Sequence, residues 1–257
     1  MKDEADYLAG LAPNPAYGGG YFLRSWAMRR IAPDRLRVLM EDGFHALAMV
    51  IAHDEAIVTG VEARWIRHPM TSCDGAAPFL SNMAGRALTP DILAAGHGAD
   101  ALAHCTHMFD SFRLGVAHIA RRRPDRRYDI ILPDTLDGPQ PAQLLVDDAE
   151  ALSLAIGPGM TVLSPDALAG APLMRGLAKW ARGRISGELF ERLFMVQRAI
   201  FVSWGRKVDM KRYQGGPAPI AGPPEGSCYA SQPGRYHDAT RKGGDRPGLT
   251  RENALRF

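Results

Sequence analysis

From Tyr21 onward, apolar and polar positions alternate with the short period of β-strands, and this pattern returns after a helical stretch in mid-chain. Tyr21 to Ile31 reads as a first strand and Arg35 to Glu41 as a second. Asp42-Gly43 is a dipeptide favoured in tight hairpins, so Phe44 to Ala52 is expected to run back as a third strand carrying His45. His53 to Glu55 makes the next turn. In the strand after it Ile57, Thr59, Val61, Ala63 and Trp65 share one face, while Glu62, Arg64 and His68 point the other way. Such alternation predicts an antiparallel meander with one face on a core and the other wet.

Helical spacing follows. A short helix is expected over Ala77 to Ala84, and another starts near Thr89-Pro90-Asp91, where Thr suits the cap and Pro the first helical position. A longer one covers much of Ala101 to Arg122, with Leu102, Cys105, Phe109, Phe112, Val116 and Ile119 forming one apolar stripe. Strands return at Tyr128 to Leu132 and Gln143 to Val146. A helical region begins near Ser164-Pro165-Asp166, and a stronger helix runs from about Ser186 to Trp204. There Leu189, Leu193, Val196 and Ile200 lie on one side and Phe190, Phe194 and Phe201 widen the face. Residues 1–20, ending in the Gly- and Pro-rich Asn14 to Gly20, form a lead-in, and from Gln214 proline and glycine dominate again. The fold class implied is α+β: an N-terminal antiparallel meander packed against helices, then a second strand-plus-helix half. Its expected segments are 1–125, 126–213 and a Pro/Gly-rich tail, 214–257.

Composition narrows the function classes. The 257 residues are 46% hydrophobic and 23% charged, ordinary for a soluble globular protein, and can bury a substantial core. A formal net charge of +3, without a concentrated basic face, argues against nucleic acid as a partner. The run Ala120 to Arg127 reads as a solvated helix end favoured by the macrodipole. The acidic start M-K-D-E-A-D does not resemble a signal peptide, and no stretch approaches the roughly 18 apolar residues of a membrane span. Three cysteines far apart do not form a disulfide framework, so a reducing cytoplasm with free thiols is expected.

Chemistry concentrates between Arg67 and Ile119, which holds two of the three cysteines and five of the eight histidines. Cys73 lies in the turn-rich loop P-M-T-S-C-D-G after a strand, a better place for a reactive thiol than mid-strand. Cys105 and His107 of A-H-C-T-H would stand about 200° apart within one helix. Only if the helix starts at Thr106 do both reach one pocket, where the dipole would lower a thiol pKa. Cys73, Cys105, His107 and a strand histidine are the set from which a zinc or iron site could be drawn, yet no C-x-x-C or H-E-x-x-H spacing appears, and none is predicted. His53, His68, His97 and His118 carry no motif and read as surface groups. The tail segment Gly226 to Tyr236, with Cys228, Tyr229, Gln232 and Arg235, has the composition of a loop that folds over a pocket. There is no G-x-S-x-G, Walker-type loop or G-x-G-x-x-G.

Several ordered blocks, N-P-A-Y-G-G-G-Y-F-L-R, E-D-G-F-H-A, H-P-M-T-S-C-D-G-A, A-H-C-T-H-M-F-D and G-S-C-Y-A-S-Q-P-G-R, resemble a bacterial domain-of-unknown-function family, DUF2889, in a long-form branch. The resemblance covers nearly the whole chain. It implies that His45, Cys73, Cys105, Thr106, His107 and Asp110 are the shared positions. Met70 and Asp74 depart from the family's usual Trp and Pro, so contacts around Cys73 differ here.

The first reading is a small-molecule catabolic enzyme: a cofactor-independent lyase that cleaves a C–C bond of a phenolic substrate by acid/base catalysis, losing formaldehyde or CO2. His45 or His107 removes a proton. Arg29 or Arg30 stabilises a phenolate, and Tyr229 or Cys73 returns a proton, with Trp65, Thr106 and Arg235 completing the substrate contacts. The alternatives are a thioesterase-like hydrolase using Cys105 or a metal, and a non-enzymatic metal- or ligand-binding accessory protein. A homodimer is the default for this size.

Overall fold

The computed structural model describes residues 4–257. In chain order its elements are α1 (Glu4–Leu8), β1 (Tyr21–Ala32), β2 (Arg35–Asp42), β3 (Ala46–His53), β4 (Val58–Arg67), α2 (Ala76–Phe79), α3 (Thr106–Ala120), β5 (Arg126–Pro133), β6 (Gln140–Val146), β7 (Ala149–Gly157), β8 (Thr161–Ser164), α4 (Leu177–Ala181), α5 (Gly187–Ser203) and α6 (Pro233–Tyr236), with 3-10 turns between them. The strands are antiparallel and hydrogen-bonded in the order β4-β3-β2-β1-β5-β6-β7-β8, so the fold is α+β. The chain forms two compact units. One holds Ser25–Arg126 with Lys211–Phe257, and the other residues 4–24 with Arg127–Met210. The C-terminal segment therefore folds with the first unit instead of standing apart as a tail. Among the described residues, no helix is long and apolar enough to cross a membrane.

In the first unit, β2, β3 and β4 form a meander on which α3 packs. Trp26, Leu36, Val38, Met49 and Ile51 are buried on the strands, and Met108, Phe112 and Val116 on the helix. Burial of each such side chain contributes about 1.5–3 kcal/mol. Gly115 sets the helix–sheet spacing, since a Cβ there would lie 2.6 Å from Ile51 Cδ1 and 3.0 Å from Val38 Cγ2. Trp26 Nε1 donates to Ser111 Oγ at 3.0 Å, tying β1 to the same helix.

The expected face of β4 is only partly observed. Val58 is buried while Ile57 and Thr59 are exposed, because Thr59 is an extra residue between the His53↔Val58 and Ala52↔Gly60 pairs. One inserted residue exchanges the faces on either side of it. A second bulge at Ile66 sets Trp65 opposite Leu47 and Arg67 opposite Ala46.

The mid-chain helix is shorter than Ala101 to Arg122. Asp100 accepts from the Leu102 main-chain N at 3.0 Å, a local turn that competes with helix, and Leu102 is 55% exposed. The Ala77 to Ala84 helix is one turn of α2 followed by a 3-10 turn over Leu80–Met83.

In the second unit β5 to β8 form a meander whose β6 is covered by α5. Strand β7 has no counterpart in the sequence reading. Its hairpin to β6 turns on Asp147 and Asp148, both at positive φ, 49° and 70°. Aspartate is among the few non-glycine residues that tolerate this region. Near Ser164-Pro165-Asp166 there is only a 3-10 turn over Asp166–Leu168. Helix α5 begins as expected, with Ser186 Oγ accepting from Leu189 N at 3.2 Å.

Candidate functional site

The site, which lies within the first unit, is organised by the turn between β2 and β3. Asp42 ends β2 fully buried. Its Oδ1 accepts from the main-chain N of Phe44 at 2.8 Å and of His45 at 2.9 Å, and the Asp42 main-chain N donates to His45 O at 2.8 Å. The chain thus wraps around a carboxylate instead of making a two-residue hairpin turn. His45 consequently lies in the turn and not on β3. Its Nδ1 is 3.0 Å from the same Oδ1. A carboxylate accepts, so Nδ1 carries hydrogen and Nε2 is the nitrogen left to exchange protons.

Glu41, one residue earlier and also fully buried, has a different task. Its Oε1 accepts from Arg67 Nη1 at 3.1 Å and Arg246 Nη1 at 2.6 Å, and its Oε2 from Leu255 N at 2.7 Å. The Ile66 bulge brings Arg67 into register with Ala46, the cross-strand partner of Glu41. Arg246 N also donates to Gly43 O at 2.7 Å, so the C-terminal segment clasps the turn that holds His45.

Helix α3 supplies the opposite wall. Cys105 is its N-cap in extended conformation, φ −65° and ψ 121°, and Thr106 is its first residue. That start lets His107 and Cys105 share one side. The His107 ring stacks on His45 with centroids 3.8 Å apart and planes inclined by 26°. Cys105 Sγ lies 3.9 Å from His107 Nδ1. The Trp65 ring is 6.2 Å from His45, and its Nε1 donates to Cys73 O at 2.9 Å.

The C-terminal segment completes the neighbourhood. Tyr229 N donates to His104 O and Gln232 Nε2 to Leu102 O, both at 2.9 Å. A Cβ on Gly75 would lie 2.3 Å from the Tyr229 hydroxyl, so glycine admits that phenol to the Cys73 loop. Arg235 sits over the Tyr229 ring at 3.9 Å. Cys228 packs against the cluster that contains Met70, Cys73 and Tyr236.

All three cysteines are free. Burial pushes the Cys73 thiol up to about 12, and the nearby Cys228 adds to this. Burial also raises Cys105 well above the ordinary thiol range; the main-chain N–H groups of Met108 and His107 oppose the rise without reversing it. The helix N-terminus therefore does not deliver the lowered thiol pKa expected from the sequence: desolvation wins. His104 is lowered by burial and then by Arg86.

The remaining expected residues fall in different places. Asp110 is buried on α3, its Oδ1 3.4 Å from Arg113 Nη1. Arg29 and Arg30 are exposed, and Arg30 Nη1 donates to Pro33 O at 2.9 Å. His97 is exposed, whereas His68 and His118 are buried and not the surface groups their lack of motif suggested. The sequence reading gave no functional role to Asp42, Glu41, Arg67, His68, Lys242 or Arg246. A clue was present: two adjacent carboxylates closing an apolar strand.

Asp42, His45 and His107 each present a ligand atom within 4.8 Å of the others and are the group that could hold a metal ion among the described residues. Comparison with family models, curated proteins and solved structures finds no match for the chain.

Proposed function

We propose that the chain is a small-molecule lyase that cleaves a C–C bond of a phenolic substrate by proton transfer at the Asp42–His45–His107 cluster. The observation carrying this reading is the stack of a carboxylate-oriented imidazole on a second imidazole, 3.8 Å apart. Two positive charges at that separation would repel by about 4 kcal/mol at an effective dielectric near 20. One ring can thus serve as base and the other as acid. His45 Nε2 removes the proton of a side-chain hydroxyl or acid. The C–C bond then breaks, its electrons staying on the carbon attached to the aromatic ring, and formaldehyde or CO2 leaves. The imidazole pair returns one proton to that carbon, so atoms and charge balance. Trp65 offers an aromatic ring a stacking surface beside His45. The motif blocks resembling DUF2889 support the same assignment of His45 and His107. Three free thiols agree with a cytoplasmic location.

A cysteine nucleophile is the weaker reading, because catalysis needs the thiolate and burial keeps Cys73 and Cys105 protonated near neutrality. A metal-assisted reaction is the second reading, favoured by the convergence of Asp42, His45 and His107. The test is turnover of a panel of hydroxymethyl- and carboxyl-bearing phenols, with formaldehyde and CO2 measured directly. His45→Gln and His107→Gln should each lower kcat by about 10²–10⁴. Unchanged turnover in the double variant would sink the proposal. Stoichiometric zinc or iron in the purified protein, with activity lost on chelation and restored by that metal, would move the reaction to the second reading.

A further inference from the structure

His68 follows β4 and is 7% exposed, its ring 5.4 Å from that of Trp65. Its Nδ1 lies 2.8 Å from Met70 O. A carbonyl only accepts, so Nδ1 bears hydrogen whether the ring is neutral or charged. Nε2 has two neighbours of opposite chemistry, Asp74 Oδ1 at 2.8 Å and Lys242 Nζ at 3.2 Å. No protonation state satisfies both. A neutral ring presents a lone pair, which accepts from the ammonium and faces the carboxylate without hydrogen. A protonated ring presents N–H, which suits the carboxylate and opposes the ammonium.

We propose that His68 is a proton-governed latch: when neutral it holds Lys242 of the C-terminal segment, and when protonated it holds Asp74 of the Cys73 loop. Both partners belong to chain that backs the site. Residues 240–242 are strapped to the loop by Thr71 N to Thr240 O and Thr240 N to Thr71 Oγ1, each 3.0 Å, and Lys242 N to Pro69 O at 2.7 Å. Asp74 directly follows Cys73, whose carbonyl anchors Trp65. The charged groups facing the ring are Asp74 and Lys242, themselves 3.7 Å apart; the Cys73 thiol is kept neutral by burial. Burial draws His68 below the usual imidazole range and Lys242 adds to this, while the Met70 carbonyl and Asp74 resist. The Lys242-held state is thus the resting one near neutrality, and acid transfers the ring to Asp74. Asp74 is exposed and Lys242 half-buried, so solvent reaches the partners of Nε2.

The latch is independent of the lyase chemistry and its test needs no turnover. Full-length protein labelled with ¹⁵N-histidine is titrated by NMR from pH 4.5 to 8.5, with the His68 signals assigned by His68→Gln or, should that variant not fold, by contacts to the Trp65 ring. The neutral state should show the Nδ1–H tautomer. Asp74→Asn should lower the His68 midpoint, and Lys242→Gln should raise it, each by about half a pH unit or more. A neutral Nε2–H tautomer, or a midpoint that neither substitution moves, would overturn the proposal.

Discussion

His118 should make the fold acid-sensitive. It lies near the end of α3, 1% exposed, with its Nδ1 buried and without a hydrogen-bond partner. Burial pulls it from the ordinary 6.5 to about 4, assisted by the positive charges of Arg123, Arg126 and Arg30, with Asp125 opposing. The folded state thus binds this proton less tightly than the unfolded chain. The stability gained by keeping His118 neutral is full above pH 6.5 and is lost as pH falls toward 4. At about 1.4 kcal/mol per pH unit, the loss approaches about 3 kcal/mol, most of it gone by pH 4.5. His118→Leu removes the titration and the orphaned nitrogen together. Urea unfolding followed by tryptophan fluorescence, run on both proteins from pH 7.5 to 4.5, isolates this one group because His68 and His104 titrate in each. The variant's stability relative to the parent should rise by about 2–3 kcal/mol across that window. A difference that stays flat with pH would refute the reasoning.

Two further outcomes follow from close contacts and burial. Gly75 has φ −75°, so its backbone accepts alanine, and the Tyr229 hydroxyl at 2.3 Å is the main obstruction to the new Cβ, with Cζ next at 3.2 Å. Gly75→Ala should cost about 1–2 kcal/mol in a urea midpoint and recover on adding Tyr229→Phe; additivity of the two changes would exclude the contact. Iodoacetamide at pH 7.5, read by peptide mass spectrometry, should label half-buried Cys228 well before Cys73 and Cys105. Cys105 labelling at the rate of an exposed thiol would contradict its burial.

The strands of the meander could be read directly, but the wet face could not: burial alternates over part of β3 and β4, whereas Phe22 to Met28 of β1 and Val38 to Asp42 of β2 are buried on both faces. What escaped was where single residues break the alternation. Thr59 and Ile66 look like ordinary strand residues, and nothing local marks either as inserted; their bulges are defined only by pairing with β3. The apolar stripe places the helix start near Ala101, and Thr106 enters only as the condition under which Cys105 and His107 reach one side; the helix starts at Thr106. His45 was legible as a candidate but not as a turn residue. Asp42-Gly43 satisfies the rule for a tight hairpin, and only the carboxylate's acceptance of two main-chain N–H groups lengthens the turn. Glu41 and Arg246 lie 205 residues apart, beyond any window of periodicity.

The adjacency of Glu41 and Asp42 explains how one strand end can be both an anchor and part of the proposed reactive centre. Successive residues of a strand point to opposite faces, so neighbouring carboxylates can serve separate surroundings without competing for donors. Burying each uncompensated would cost several kcal/mol. Glu41 offsets this with two guanidinium groups and a main-chain N–H, which commits it to holding Arg67 and the C-terminal segment in place. Asp42 spends one oxygen on the turn and on the His45 ring at once. The same atom therefore shapes the backbone that carries His45 and fixes which of its nitrogens bears the proton. A side chain doing both cannot drift relative to the ring it orients, and the stacked His107, delivered by the first turn of α3, meets an imidazole already set in place.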